Sequence, residues 1–173
     1  MALIFQYGSN MSSQRLNSTD RLAGQAKVFG TGQTIERFNL VFSVWSKSNE
    51  CAAADIAAND SGQRIFGVIY EVPDFLISRE SAKLQGRKSM DAIEGEGINY
   101  VKRDVQIETA HGGTVSAMTY VVKDPQAGLK TSLPYVTHIL NGLDEHHLPA
   151  AYRTYVLAQI VQNNPALEAQ VAK

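Results

Sequence analysis

The sequence predicts an α+β domain whose core is a curved, mainly antiparallel sheet or small β-barrel with a few flanking helices. Three observations carry that expectation. Strand-like alternation fills the first two thirds of the chain, helix-like spacing is concentrated in the last third, and short turn signals rather than helical crossovers separate the strands. With 173 residues and no repeat, low-complexity tract or linker, the chain has room for one sizeable core, so residues 1–173 are read as a single domain.

The elements follow in order. Ala2–Gln6 is an apolar first strand that runs directly into Tyr7-Gly8-Ser9-Asn10-Met11. Gln25–Thr31 and Arg37–Trp45 come next, separated by a Gly-Thr-Gly turn signal, with Phe38, Leu40, Phe42 and Val44 alternating along the second. Cys51–Ala58 and Arg64–Val72 are joined through Asn59-Asp60-Ser61-Gly62, which reads as a hairpin. Asn99–Ala110 and Thr114–Lys123 form another across His111-Gly112-Gly113. Between these pairs, Asp74 caps a helix of about three turns reaching toward Gln85, stopped by Gly86. Ser89 then caps one short turn, Met90–Glu94, ended by Gly95. Ser132 caps a helix running to about Asn141. Pro149 opens the last, with Tyr152, Val156 and Ile160 at four-residue spacing.

Composition narrows the function classes. A net charge of −1 gives no electrostatic case for nucleic acid or an anionic membrane as partner. No apolar run approaches the ~20 residues that span a bilayer, and no basic segment leads into an apolar one as in a signal peptide. The expected location is cytoplasmic. Cys51 is the only cysteine, so no internal disulfide forms, and its Ala-rich surroundings favour a small buried side chain over a nucleophile. His146-His147, with His138 nearby, lack the carboxylate or cysteine pattern that would complete a metal site and read as a solvated pair.

Two places carry chemistry. At the end of the first strand, Gly8 admits backbone angles that let amide N–H groups converge on a ligand oxygen, and Ser9 and Asn10 add short hydrogen-bonding side chains. An ordinary turn is the plainer reading of the same residues. The second place is residues 89–100, where Asp91, Glu94 and Glu96 crowd into one bend. Mutual repulsion and the end of a helical turn both favour a protonated acid there, and apolar walls would push the Glu94 pKa toward neutrality, as a general acid/base requires. A solvated acidic bend is the alternative.

Taken together, these segments resemble the γ-glutamylcyclotransferase-like family. Tyr7-Gly8-Ser9-Asn10 is similar to the family's N-terminal signature, and Met90-Asp91-Ala92-Ile93-Glu94-Gly95 with downstream Tyr100 to its Leu-Asp-x-x-Glu-Gly segment. Gly67-Val68-Ile69-Tyr70 matches the strand before that segment, and Leu133-Pro134-Tyr135 through Gly142 to Leu148-Pro149-x-x-Tyr152 its C-terminal helices. There are departures. Met90 stands where leucine is usual, and the Glu94–Tyr100 spacing is one residue shorter than in vertebrate-type enzymes. The Asn10 loop also differs from the Tyr-Gly-Ser-Leu loop of the glutathione-specific branch, which argues against glutathione as main substrate.

The resemblance implies the γ-glutamylcyclotransferase-like fold and a cyclising lyase or acyltransferase that converts a γ-glutamyl amide or dipeptide to 5-oxoproline. The α-amine attacks its own γ-carbonyl and expels an amine. It implies Glu94 as the single acid/base, the Tyr7, Gly8, Ser9 and Asn10 loop as the cradle for a substrate oxygen, and no metal or organic cofactor. Ser9 lacks a nucleophile elbow and belongs to the cradle. Tyr100, Tyr120 and Tyr135 line the cleft, donating hydroxyls and offering ring faces, while Tyr7 either joins them or holds the loop. The leaving group would meet the Ser46–Glu50 and Lys123–Lys130 loops. The implied partner is a small γ-glutamyl substrate, and a homodimer is compatible with the family. Two other readings stay open: a non-catalytic small-molecule binding or regulatory domain of the same fold, and a cyclotransferase for a γ-glutamylated amine metabolite.

Overall fold

In a computed structural model that describes residues 1–171, seven strands build a closed five-stranded barrel and a separate two-stranded sheet. The last two residues of the expected domain lie outside the described residues. The strands are β1 (Ala2–Gln6), β2 (Lys27–Thr34), β3 (Phe38–Ser46), β4 (Cys51–Ala58), β5 (Phe66–Val72), β6 (Tyr100–Thr109) and β7 (Thr114–Val122). The helices are α1 (Ser13–Leu16), α2 (Arg79–Leu84), α3 (Met90–Glu94), α4 (Leu133–Glu145), α5 (Ala150–Asn163) and α6 (Glu168–Val171). Strand order in the barrel is β1-β5-β2-β6-β7, closed by a parallel contact between β1 and β7 at Ile4 and Met118. All other pairings are antiparallel. Ile4 and Phe5 on β1, Val68, Ile69 and Tyr70 on β5, and Ile107 on β6 are fully buried, so the strands hold their apolar side chains away from water.

Two expected turns are something else. The Gly30-Thr31-Gly32 signal lies inside β2, which pairs with β5 and β6 and never with β3. Close approach explains the glycine at position 32. A Cβ there would stand 2.5 Å from Ile107 Cγ2 and 2.6 Å from the Glu108 carbonyl oxygen, so only glycine lets β6 come alongside. Asn59-Asp60-Ser61-Gly62 does turn the chain, but β4 pairs with β3, not β5. The turn passes the chain from one sheet to the other. The hairpin across residues 111–113 is present, with β6 and β7 in register from Tyr100↔Val122 to Glu108↔Thr114.

The helical segment after β5 also divides. Asp74 makes no capping bond and opens a single 3₁₀ turn, Asp74–Leu76. The helix proper is α2, whose cap is the Ser78 hydroxyl accepting from the Ser81 N–H. At α3 the Ser89 hydroxyl accepts from the Ala92 N–H, a bond worth about 1 kcal/mol in such caps, and Gly95 closes the turn at φ 69°. Ser132 precedes α4 without a side-chain capping bond, and α4 runs on to Glu145, one turn beyond Asn141. Tyr152, Val156 and Ile160 form the buried stripe of α5. Cys51 is buried in β4.

Helix α4 clamps the loop that follows β1. A Cβ on Gly142 would lie 2.5 Å from Met11 Cβ and 3.0 Å from the Ser12 nitrogen, so the helix and loop are in backbone contact. His146, one residue past α4, closes the same contact. Its side chain is only 9% exposed, and Nε2 lies 3.0 Å from the Met11 carbonyl, which the Tyr70 hydroxyl also donates to at 2.8 Å. A carbonyl only accepts, so Nε2 carries a proton. The solvated histidine pair is therefore half right: His147 is exposed, His146 is a buried strut.

Candidate active site

The Tyr7–Asn10 junction leaves β1 and turns into the 3₁₀ segment Ser9–Met11, closed by Met11 N–H donating to the Gly8 carbonyl at 3.0 Å. Gly8 has φ −107°, a conformation that many residues adopt. Neither backbone freedom nor close packing demands glycine here. A Cβ would stand 3.5 Å from Ala54 Cβ and 3.8 Å from the Tyr135 hydroxyl, narrowing the recess between them. The amides of Gly8, Ser9 and Asn10 donate to no acceptor among the described residues. They are unspent donors at the start of a helical turn.

Glu94 faces this loop from the end of α3. Its Oε1 accepts from Asn10 Nδ2 at 2.9 Å and from Gln6 Nε2 at 3.2 Å. Among the described residues Oε2 has no hydrogen-bond partner. One oxygen is thus pinned and the other open. Burial raises the Glu94 pKa above the ordinary carboxylate range, while the bonds from Asn10 and Gln6, then the charges of Arg21 and Arg15, pull it partly back. The expected cause, repulsion among neighbouring acids, does not operate. Asp91 Oδ2 takes Lys102 Nζ at 2.9 Å and Oδ1 takes the Tyr120 hydroxyl at 2.8 Å, while Glu96 lies 3.4 Å from Arg79 Nη1. Each neighbouring acid has its own cation, so desolvation acts on Glu94 alone.

An inner recess of about 30 Å³ brings together Tyr7, Gly8, Ser9, Asn10, Glu94, Tyr100, Tyr120 and Tyr135. The tyrosines are disposed differently from the expectation that they would offer free hydroxyls. Tyr7 donates to the Tyr120 carbonyl at 2.6 Å, Tyr100 to the Ala54 carbonyl at 2.7 Å, and Tyr120 to Asp91. Burial raises the pKa of all three, keeping those protons in place. Only Tyr135 differs. Its oxygen accepts the Ala54 N–H at 2.9 Å, which leaves its own proton for another acceptor, and burial pushes its pKa up to about 12. Tyr7 accordingly ties the loop to β7.

Outside the recess, and sharing Ser9, Asn10, Glu94, Tyr100 and Tyr135 with it, lies a cleft of about 340 Å³. The Ser46–Asn49 loop forms one wall. The Lys123–Lys130 loop does not reach this cleft; Pro125–Leu129 packs over β3 and α5 instead, and the chain thereby departs from the sequence expectation. Sequence reasoning missed four contributors. Gln6 gave one local signal, a polar side chain ending a buried apolar strand. Thr119, beside it, is held to the Phe5 carbonyl at 2.8 Å. Arg15 and Arg21 gave none: Arg15, in α1, meets Asn49 across the cleft, and the fold-back of residues 17–24 carries Arg21 to Asn10.

A small barrel with a desolvated carboxylate opposite unspent amides defines a site for moving protons beside an anchored oxygen. The chain belongs to the family described as gamma-glutamyl cyclotransferase, AIG2-like, whose model matches residues 4–138. Solved structures agree on the fold. One described as a gamma-glutamyl cyclotransferase superposes with a TM-score of 0.71 at 21% identity, covering 88% of this chain and 84% of that one. An uncharacterized protein from Homo sapiens gives 0.71 at 23% identity with the same coverage, 88% and 84%. YkqA from Bacillus subtilis gives 0.71 at 19% identity over 92% of this chain, which spans 54% of that protein. Among curated protein sequences, none matches this chain.

Proposed function

We propose that the protein is a γ-glutamylcyclotransferase that releases 5-oxoproline by intramolecular aminolysis, with Glu94 as its one acid/base. The observation that carries this reading is the Glu94 carboxylate: its pKa raised by burial, Oε1 pinned by Asn10 and Gln6, Oε2 without a partner among the described residues, and the whole group lining the same recess as the Gly8–Asn10 loop. The substrate's α-ammonium first gives a proton to Oε2. The freed nitrogen attacks the γ-carbonyl carbon, forming the lactam C–N bond and placing negative charge on the carbonyl oxygen. The amides of Gly8, Ser9 and Asn10 supply donors for that oxygen or for the α-carboxylate. Collapse breaks the original amide C–N bond. Two protons leave the α-nitrogen in all, and two reach the departing nitrogen, which exits as an ammonium. One carboxylate near both nitrogens suffices because each proton it takes is handed on.

Raising the Glu94 pKa serves the first step. It narrows the gap to the α-ammonium, so the first transfer is less uphill. Holding nucleophile and electrophile of one molecule folded against each other supplies effective concentration, which removes several kcal/mol from such barriers, about 7 or more in favourable cases. The test is 5-oxoproline release from a panel of γ-glutamyl dipeptides, γ-glutamyl amines and glutathione. Wild-type protein should release it from at least one, and Glu94→Gln from none. Tight binding without any release would move the protein to the non-catalytic reading.

A further inference from the structure

We infer that Asp55 is a positioning residue for the reaction: its carboxylate fixes β4 against β7, so that the Ala54 N–H holds the Tyr135 oxygen and leaves the Tyr135 proton for a substrate oxygen in the recess. This rests on the cyclotransferase reading and adds to it one donor and the group that supports it.

The recess is a joint between two sheets. Its strand residues come from the barrel except Ala54, the single contribution of the β3–β4 sheet. β4 reads Cys-Ala-Ala-Ala-Asp-Ile-Ala-Ala, so Asp55 is its only charged side chain, and it is 3% exposed. Oδ1 accepts the Val122 N–H at 2.9 Å, and Oδ2 accepts the Ser43 hydroxyl at 3.0 Å. One oxygen therefore reaches the barrel while the other braces β3. Among the described residues no cation pairs with Asp55. A buried acid without a cation is a cost to the fold, and what it supplies here is two directed bonds that set the register of one sheet on the other.

The seam exists because β1 stops short. In the register set by Ile4↔Met118, β1 ends at Gln6 level with Tyr120, and the chain turns off into the Tyr7–Asn10 loop. β7 runs on to Val122, whose N–H, past the end of β1, goes to Asp55. Both backbone groups of the adjacent Ala54 then meet recess tyrosines. Its N–H donates to the Tyr135 oxygen at 2.9 Å, and its carbonyl accepts from the Tyr100 hydroxyl at 2.7 Å. Alanine has no polar side chain to anchor itself, so its neighbour sets its place along β7. An oxygen that accepts the Ala54 N–H turns its own O–H elsewhere, and Tyr135 donates to no acceptor among the described residues. That proton joins the loop amides on the oxygen where charge develops. Asp55 itself stands behind the recess rather than in its lining: burial first, and then the Asp55 charge, raise the pKa of Tyr7 on the recess wall.

The test is a double-mutant cycle in the full-length protein between Asp55→Ala and Tyr135→Phe. It reads kcat and KM for 5-oxoproline release from γ-glutamylalanine, or from the member of the γ-glutamyl panel that wild-type protein cleaves fastest. Each single change should lower kcat rather than raise KM, by about tenfold or more, toward the 10²–10³ of a lost oxyanion donor. The double variant should stay within about threefold of Tyr135→Phe, because Asp55 acts through a hydroxyl already removed. A merely structural role multiplies the two losses instead. Asp55→Asn keeps an oxygen for Val122 and a donor for the Ser43 hydroxyl, and should stay within about threefold of wild type. Multiplied losses, an unaltered kcat in Asp55→Ala, or Asp55→Asn as impaired as Asp55→Ala each overturn the inference while the cyclotransferase reading stands. If circular dichroism shows Asp55→Ala unfolded, Asp55→Ser, whose hydroxyl stops one bond short of the carboxylate oxygens, takes its place under the same criteria. If wild-type protein cleaves no panel member, the cyclotransferase reading fails, and calorimetric titration of the same variants with γ-glutamylalanine decides the positioning alone. Non-additive losses of affinity uphold it; additive losses, no loss or no binding overturn it.

Discussion

The inner recess and the outer cleft share five residues and are built on opposite terms. In the recess nearly every polar group has an internal partner: Tyr7 on Tyr120, Tyr100 on Ala54, Tyr120 on Asp91, Asp91 on Lys102. What remains free is the amides of the loop, one oxygen of Glu94 and the proton of Tyr135. In the cleft the guanidiniums, the Lys47 ammonium and the Trp45 face are open. Internal bonding fixes groups where a reaction needs fixed distances, whereas open charges leave selection to whatever enters. Under the proposed function the recess would hold the γ-glutamyl group common to every substrate, and the cleft the part that varies.

The largest effect should follow from Glu94→Gln. General acid–base catalysis contributes about 10²–10⁴-fold, and loss of this magnitude should be the same for every substrate tested. A loss that depends on the leaving group would mean that Glu94 acts in the cleft rather than in the recess. Gly142→Ala comes next. It forces a Cβ into Met11 at 2.5 Å, an overpacking that costs about 1–3 kcal/mol of stability. Because α4 clamps the loop whose amides face Glu94, kcat/KM should also fall, again uniformly across leaving groups. Stability lost with kcat/KM intact would uncouple the clamp from the recess.

A subtler cut is Asn10→Ala. The Asn10 bond is the strongest force lowering the Glu94 pKa against burial, so its removal should raise that pKa further. In the proposed reaction Glu94 must be ionised to accept the ammonium proton. The acid limb of the kcat/KM profile should therefore move to higher pH in Asn10→Ala. An unmoved limb would assign it to another group.

How far the sequence went in describing these two regions differs for a physical reason. The recess is built from local motifs: a strand end, a capped turn and tyrosines on two hairpin strands. Ser89 and Gly95 bound α3 as their residue types dictate, and Tyr100 and Tyr120 follow from strand period. The cleft comes from tertiary events without a local mark. Arg21 reaches Asn10 only because the chain folds back after α1, Arg15 meets Asn49 from a distant loop, and Pro125–Leu129 packs away from the site against β3. The barrel topology was hidden likewise. Adjacent strands β4 and β5 look like a hairpin in sequence yet enter different sheets, and Gly32 resembles a turn while admitting β6. His146 passed for solvated because nothing near it in sequence announces Met11 and Tyr70.

The smallest effect is a thermodynamic one, and it isolates the strain that the recess imposes on its acid. Burial raises the folded-state pKa of Glu94 above the ordinary value of 4.5. Below 4.5 the carboxyl is protonated in folded and unfolded chains alike, and its contribution to stability is fully present. As pH rises, the unfolded chain releases the proton first while the folded chain still holds it, so stability falls until the folded pKa is passed. Glu94→Gln cannot titrate. Its unfolding free energy relative to wild type should grow in its favour from pH 4.5 upward and then level off, by about 1.4 kcal/mol for each tenfold change in proton affinity. Denaturant titrations of both proteins across that range measure the difference directly. A difference that stays constant with pH would mean that water reaches Glu94 freely in solution and that the recess does not tune it. A growing one would show the acid held at a cost to the fold.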